Sequence, residues 1–326
     1  MFHAWNSQSP RFRAIFEALF VTFLWSTSWV LIKIGLQDIP PITFAGLRYA
    51  LAFVCLCPFA VLNPRYRDAI RSLSGRQWLQ LVALGVVFIA IAQGAQYLAL
   101  NYLPADSVTL LLNFSAVLVA LLGIPFLNER PSFIQWFGIA LFLGGVVIYF
   151  YPTALGASLA VGIIAAAVCV TTSGVAALQG RHINRAAHSD PFVVTFVSIG
   201  VGALLLLGAG LSIAPMPTLS LLNWLSVGWL AAVNTAFAFT LWNRSQQSLS
   251  AVESSMINNT MMIQIAVLAW LFLGEHLDGK AIAGMALAAV GTLLVQLRRD
   301  SVKPTPALES EAALLDLQAE TVQEKI

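Results

Sequence analysis

Two cations stand inside stretches that are otherwise lipid-soluble. Lys33 and Arg48 lie within "WSTSWVLIKIGLQDIPPITFAGLRYA", residues 25–50. A charge near the centre of a membrane helix costs about 2.5–3.5 kcal/mol on insertion scales. Each cation therefore needs a partner or a purpose. The functional reading is a positive field that attracts or orients an anionic group such as a carboxylate. The competing reading is structural. At about 1.5 Å per residue, Lys33 lies about 5 Å from the end of its predicted helix and Arg48 about 9 Å into the next. From there both can snorkel to the interface or pair with Asp38 or Asp106.

Uncharged polar residues extend the set. Trp25, Trp29 and Lys33 recur at i, i+4 and i+8, one stripe of a helix. Gln93 and Tyr97 are four apart and share a face, beside Gln96. Asn113, Asn234, Asn258, Asn259 and Gln264 fall in later apolar stretches. In lipid such amides can glue helices together for about 0.6–2 kcal/mol each. They can also orient a ligand in a cavity whose walls are aromatic. Lying near mid-span in both halves of the chain, they point to one substrate cavity. It is expected to be lined by Trp25, Trp29, Lys33, Arg48, Gln93, Tyr97, Asn113, Asn234 and Asn259.

Catalytic chemistry finds no support. The chain has no HExxH zinc pair, no GxSxG elbow and no GKS or GKT phosphate loop. Cys55, Cys57 and Cys169 lack metal-ligand spacing, as do His182 and His188. Neither an enzyme nor a metal or cofactor site is expected. A net charge of +2 is too small to suggest a nucleic-acid partner. The expected partners are a small-molecule substrate and the lipid bilayer. With no ATP-binding domain in sight, driving energy would come from a proton, another ion or the substrate gradient.

The elements that must position these residues follow from composition. The 326 residues are 59% hydrophobic and 10% charged, against about 25% charged in a soluble domain. The solvent must be lipid, and the expected class is an all-α integral membrane protein. Ten stretches reach the roughly 20 apolar residues needed to span: 14–36, 42–62, 77–99, 105–127, 132–151, 156–178, 191–212, 221–242, 252–273 and 279–297. The first is too long for a signal-peptide core and has no cleavage site after it. Arg11 and Arg13, Arg65 to Arg76, Arg130, Arg181 and Arg185, Arg244, and Arg298 to Lys303 all fall on one side of a ten-span chain. Positive residues mark the cytoplasm, so both termini are expected there, in a multi-pass protein of the cell (inner) membrane.

The chain also repeats itself. Residues 103–145 align without gaps on residues 249–291, an offset of 146. Asn113 meets Asn259, and "FLNE" meets "FLGE", bringing Glu129 onto Glu275. Gly138 and Gly145 meet Gly284 and Gly291. These glycines are expected to form packing seams within each half. The expected segments are a cytoplasmic stretch 1–13, five-helix repeats at 14–151 and 156–297, and an acidic cytoplasmic tail 298–326. Five helices per repeat is odd, so the second half enters from the opposite side. Inverted repeats place a site near the midplane and give alternating access by rocking.

With these residues in place, the chain resembles the EamA family of the drug/metabolite transporter superfamily. The carriers are "WSTSWVLIKIGL", "PPITFAGLRYALA" and the paired "FLNERPS" and "FLGEHLD", and the resemblance covers about 14–297. It implies a ten-helix secondary-active carrier that exports small metabolites, amino acids or related amphipathic solutes among them. The alternative is a multidrug or lipid-like efflux carrier. The family tends to place a basic residue where Arg48 stands, which implies a general role for it. The related small multidrug carriers couple protons through a first-helix glutamate, which marks Glu17; Glu253 is the other coupling candidate. Bland readings compete: an i,i+4 pair with Arg13 for Glu17, and a helix-dipole position for Glu253. The family often has a proline where Asn113 and Asn259 stand, and a glycine where Asn128 stands.

Overall fold

A backbone in lipid must satisfy its own hydrogen bonds, and among the described residues every long element is a helix. The computed structural model describes residues 10–115, 117–118, 132–151, 157–185, 190–246, 249 and 251–296. The helices are α1 (Pro10–Gly35), α2 (Pro41–Leu62), α3 (Pro64–Arg71), α4 (Gly75–Tyr102), α5 (Ala105–Leu112), α6 (Phe133–Phe150), α7 (Ala157–Arg185), α8 (Pro191–Ile213), α9 (221–246), α10 (Ala251–Leu273) and α11 (Gly279–Gln296). Eight of these are long and apolar enough to cross a membrane: α1, α2, α4 and α6 to α10. The α11 stretch Gly279–Val295 is shorter. The rest of the predicted fourth span, Glu129 with its "FLNE", and the tail 298–326 lie outside the described residues or almost entirely so.

Helix starts are written in local chemistry. Proline opens α2, α3 and α8, where its missing N–H is no loss. Capping boxes at Ser74 with Gln77 and at Ser132 with Gln135 open α4 and α6. The short α3 was not expected. Asn63 caps it by accepting from the Arg65 N–H at 3.1 Å, and Arg65 pairs with Asp190 at 2.8 Å, tying it to the start of α8. Leu62, Leu204 and Leu221 are each more than 70% exposed, on a surface only lipid would cover.

The internal repeat recurs as structure. The bounds of α6 and α11 differ by 146 residues at both ends. Two π-helical stretches, Gly85–Gln93 in α4 and Ala232–Phe237 in α9, fall at nearly the same offset. The glycine seams require a correction: they join the two halves instead of packing within each. A Cβ on Gly138 would stand 2.8 Å from the Gly291 carbonyl, and one on Gly284 would stand 2.7 Å from the Gly145 carbonyl. The pairing 138 with 291 and 145 with 284 means that α6 and α11 run antiparallel. The helices α2 and α8 pair the same way, Gly46 against Leu207 and Gly210 against Thr43. In both pairs the repeat-equivalent helices meet across the boundary and run antiparallel. The largest buried cluster draws on both halves, with Ile32, Phe44, Tyr49 and Tyr97 packed with Val227, Leu230 and Ile265.

Candidate functional site

Four of the nine expected cavity residues converge where the halves meet. Arg48 on α2 donates through Nε to Thr235 Oγ1 at 2.8 Å, through Nη1 to the Tyr97 hydroxyl at 3.3 Å, and through Nη2 to the Asn234 carbonyl at 3.4 Å. The same carbonyl accepts from Trp25 Nε1 at 3.1 Å. Asn234 and Thr235 sit in the π-helical stretch of α9, and such turns often mark functional sites. The Thr235 hydroxyl reaches back five residues to the Leu230 carbonyl at 2.8 Å. Asn234 Nδ2 donates to the Leu24 carbonyl and, at 3.2 Å, to Thr27 Oγ1. Trp25 packs against Phe239 and Trp242, ring centroids 5.3 and 5.2 Å away. Tyr97 stands edge-on to Phe44 at 5.2 Å.

The electrostatics of this node are unusual. Arg48 is 4% exposed, and its hydrogen-bond partners among the described residues are two hydroxyls and a carbonyl. None is an anion. Neither Asp38 nor Asp106 pairs with it: Asp38 accepts from Asn223 Nδ2 at 3.0 Å, and Asp106 accepts from the Ser107 N–H at 2.6 Å. A buried cation without a counter-charge is costly. The described residues of the node are hydrogen-bond donors and acceptors gathered around one cation.

The other expected residues make different contacts. Trp29 is buried in the central cluster. Lys33 turns its ammonium to the Leu100 and Leu103 carbonyls, donating at 2.6 and 2.7 Å, at the end of α4. Gln93 is partly exposed at the end of the π-helical stretch of α4. Asn113 turns its amide onto the Thr109 carbonyl of its own helix at 2.9 Å and ends α5. Asn259 is partly buried on α10. Gln264 links α10 to α1 instead, accepting from Ser26 at 2.9 Å. Glu17 pairs with Arg13 at 2.9 Å, and also with Arg244 of the other half. Glu253 is partly buried in the first turn of α10.

Sequence reasoning missed Thr235, whose hydroxyl resembles any other in a helix. It also valued Glu275 only as a repeat marker. Gly274, at φ +66°, turns the chain so that Glu275 accepts from the Ala105 N–H at 2.9 Å and the Asp106 N–H at 3.4 Å. A second-half carboxylate thus caps a first-half helix. Burial, joined by the charge of Asp106, outweighs these bonds and Lys33 and holds the Glu275 carboxyl above its usual value of 4.5. A raised folded value adds stability that is full below the unfolded pKa and fades as pH rises through the folded one. Thermal unfolding of wild type against Glu275→Gln should therefore show a difference that favours wild type most in acid and shrinks toward pH 8. A pH-independent difference would contradict this assignment.

Comparison with known proteins bears on the family and the fold. The model of the EamA-like transporter family matches residues 12–151 and again 160–297. A "Probable amino-acid metabolite efflux pump" of Escherichia coli (strain K12) is 26% identical over 288 residues, covering 84% of this chain and 91% of that protein. An "Uncharacterized transporter" of Archaeoglobus fulgidus is 32% identical over 125 residues, and that match spans only 41% of the relative's length and 38% of this chain. A solved crystal structure matches with a TM-score of 0.63 at 18% identity, over 87% of this chain and 97% of its own. That likeness concerns the fold.

Proposed function

This chain belongs to the EamA-like transporter family, and from that premise we propose that it is a secondary-active exporter of small metabolites, amino acids or related amphipathic solutes. The observation that carries the reading is Arg48, a buried cation at the boundary between the halves whose partners among the described residues are two hydroxyls, a carbonyl and the face of the Tyr49 ring at 5.5 Å, none of them an anion. A substrate carboxylate supplies the missing charge. The relative in Escherichia coli whose name is an amino-acid metabolite efflux pump supports that class. The aromatic group of Trp25, Phe239 and Trp242 favours a multidrug or lipid-like cargo as the second reading. The uncompensated charge weighs against it.

The working cycle is alternating access by ten spans in two inverted halves. The antiparallel pairing of α6 with α11 and of α2 with α8 supports the inversion. Bonds between halves tie both ends of the bundle. Glu17 with Arg244 and Arg65 with Asp190 hold one end; Glu275 on the start of α5 and Asp38 with Asn223 hold the other. Opening one set while the other stays closed exposes the node to one side at a time. Glu17, gripped by two arginines, serves as a clasp in this scheme, and a proton or other ion gradient is the driving force.

Efflux of radiolabelled amino acids from proteoliposomes, with and without a proton gradient, tests the function. Gradient-dependent efflux is expected; no transport of any amino acid would overturn the reading. Topology has a separate check. In a protein whose native cysteines are serines, Met216→Cys should react with an impermeant maleimide from outside the cell, and Asp68→Cys only after the membrane is opened. The reverse pattern would refute cytoplasmic termini.

A further inference from the structure

We infer that the head group received at this node is zwitterionic, its carboxylate on Arg48 and its ammonium on the Asn234 side-chain oxygen. The inference rests on the transport reading above and adds a second recognition element to it. Arginine carries five N–H donors. Three are engaged, by Thr235, Tyr97 and Asn234, and each terminal nitrogen keeps one further N–H without a partner among the described residues. Two such donors on one fork suit a bidentate carboxylate.

The acceptor is supplied beside it. Asn234 is fully buried, and its Oδ1 has no hydrogen-bond partner among the described residues. Its orientation is not free. Nδ2 donates to the Leu24 carbonyl and to Thr27, and the backbone carbonyl takes Trp25 and Arg48. Flipping the amide would set Oδ1 against the Leu24 carbonyl, acceptor against acceptor, so the orphan cannot hide by rotation. A buried acceptor left unmade is expensive, and the group it lacks is a donor.

A site offering two free cationic donors and one bare acceptor has the polarity of an α-amino acid, whose carboxylate and ammonium share one carbon. Arg48 Nη2 donates to the Asn234 backbone carbonyl, so the guanidinium and the residue that bears the bare acceptor are neighbours. Trp25 touches both the Asn234 carbonyl and the rings of Phe239 and Trp242. The substrate side chain that fits against them is apolar.

Calorimetric binding to the purified full-length protein tests this with leucine, methionine and phenylalanine. Against leucine stand 4-methylpentanoate, which lacks the ammonium, and isopentylamine, which lacks the carboxylate. Wild type should bind leucine at least about tenfold tighter than either analogue, because each analogue leaves one recogniser buried and unpaired. In Asn234→Ala the preference for leucine over 4-methylpentanoate should collapse to about twofold or less. The wild-type comparison of leucine with 4-methylpentanoate needs no variant and covers the case of an unfolded alanine protein. An unchanged preference in a folded Asn234→Ala, or wild type that binds 4-methylpentanoate as well as leucine, would overturn the inference; a buried water would then occupy Oδ1. No binding of any of the three amino acids overturns it too. If instead Arg48→Gln leaves 4-methylpentanoate binding intact, the anion site itself fails, and with it the underlying reading.

Discussion

Arg48→Gln should leave a folded protein that has lost nearly all transport of carboxylate-bearing substrates. Truncating one partner of a buried, hydrogen-bonded charge pair costs about 2–5 kcal/mol. At about 1.4 kcal/mol per decade that is a loss of roughly 30-fold or more. Arg48→Lys should keep part of the activity, because the charge survives while the planar fork does not. Arg48→Met is the informative control. It removes the cation that burial penalises and fills similar volume, an exchange that is often neutral or stabilising in a core. The expected pattern is a Met variant with normal expression and unfolding temperature and no carboxylate transport. Tyr97→Phe removes one of the three acceptors holding the guanidinium, and a loss of about 1 kcal/mol is expected from that bond. Should all four variants fail to fold, Arg48 is a structural tie between α2 and α9 and the transport site lies elsewhere. Initial transport rates in proteoliposomes, alongside thermal unfolding of each variant, separate the outcomes.

The second large effect is on folding. Gly145→Leu should prevent assembly of the two halves, whereas Gly144→Ala, one residue away, should be silent. A Cβ at Gly145 would stand 2.5 Å from the Gly284 carbonyl oxygen and 2.7 Å from the Ala288 backbone nitrogen. Both obstacles are backbone of α11, which cannot rotate aside. Over-packing a fitted interior costs about 1–3 kcal/mol for an extra methyl or two, so Gly145→Ala should already lower the unfolding temperature. A Cβ at Gly144 meets nothing nearer than the tip of Leu287 at 4.0 Å. Alanine there should even stabilise the helix, by up to about 1 kcal/mol. Equal behaviour of the two alanine variants would remove the α6–α11 seam from the account. Fluorescence-detected size exclusion and thermal unfolding read both.

What could be read from the sequence were the properties that lipid imposes on each stretch separately. A run of about 20 apolar residues becomes a helix because its backbone has no other way to satisfy its hydrogen bonds. Pro41, Pro64, Pro191, Ser74 and Ser132 fixed where helices begin, because caps act over three or four residues. The 146-residue repeat was visible because the two copies kept the same local pattern, and α6 and α11 share its bounds. The Arg13–Glu17 pair was visible because one turn separates the two residues.

Only the tertiary structure decided which helix meets which, because that choice depends on residues far apart in the chain. Arg244, 227 residues from Glu17, completes the clasp. Gly138 and Gly145 looked like a seam inside one half, yet they close on Gly291 and Gly284 of the other, since a small residue marks a close approach without naming the partner. Lys33 and Arg48 looked alike as cations in apolar runs. Packing separated them: the flexible lysine turned to two carbonyls at the end of α4, and the arginine met a widened turn of α9. Asn113 and Asn234 were likewise equal candidates. One amide spends itself on its own helix, where Thr109 lies a turn away. The other keeps a bare oxygen at the boundary of the halves, because α1 and α2 arrive there and occupy its amide nitrogen and its backbone carbonyl.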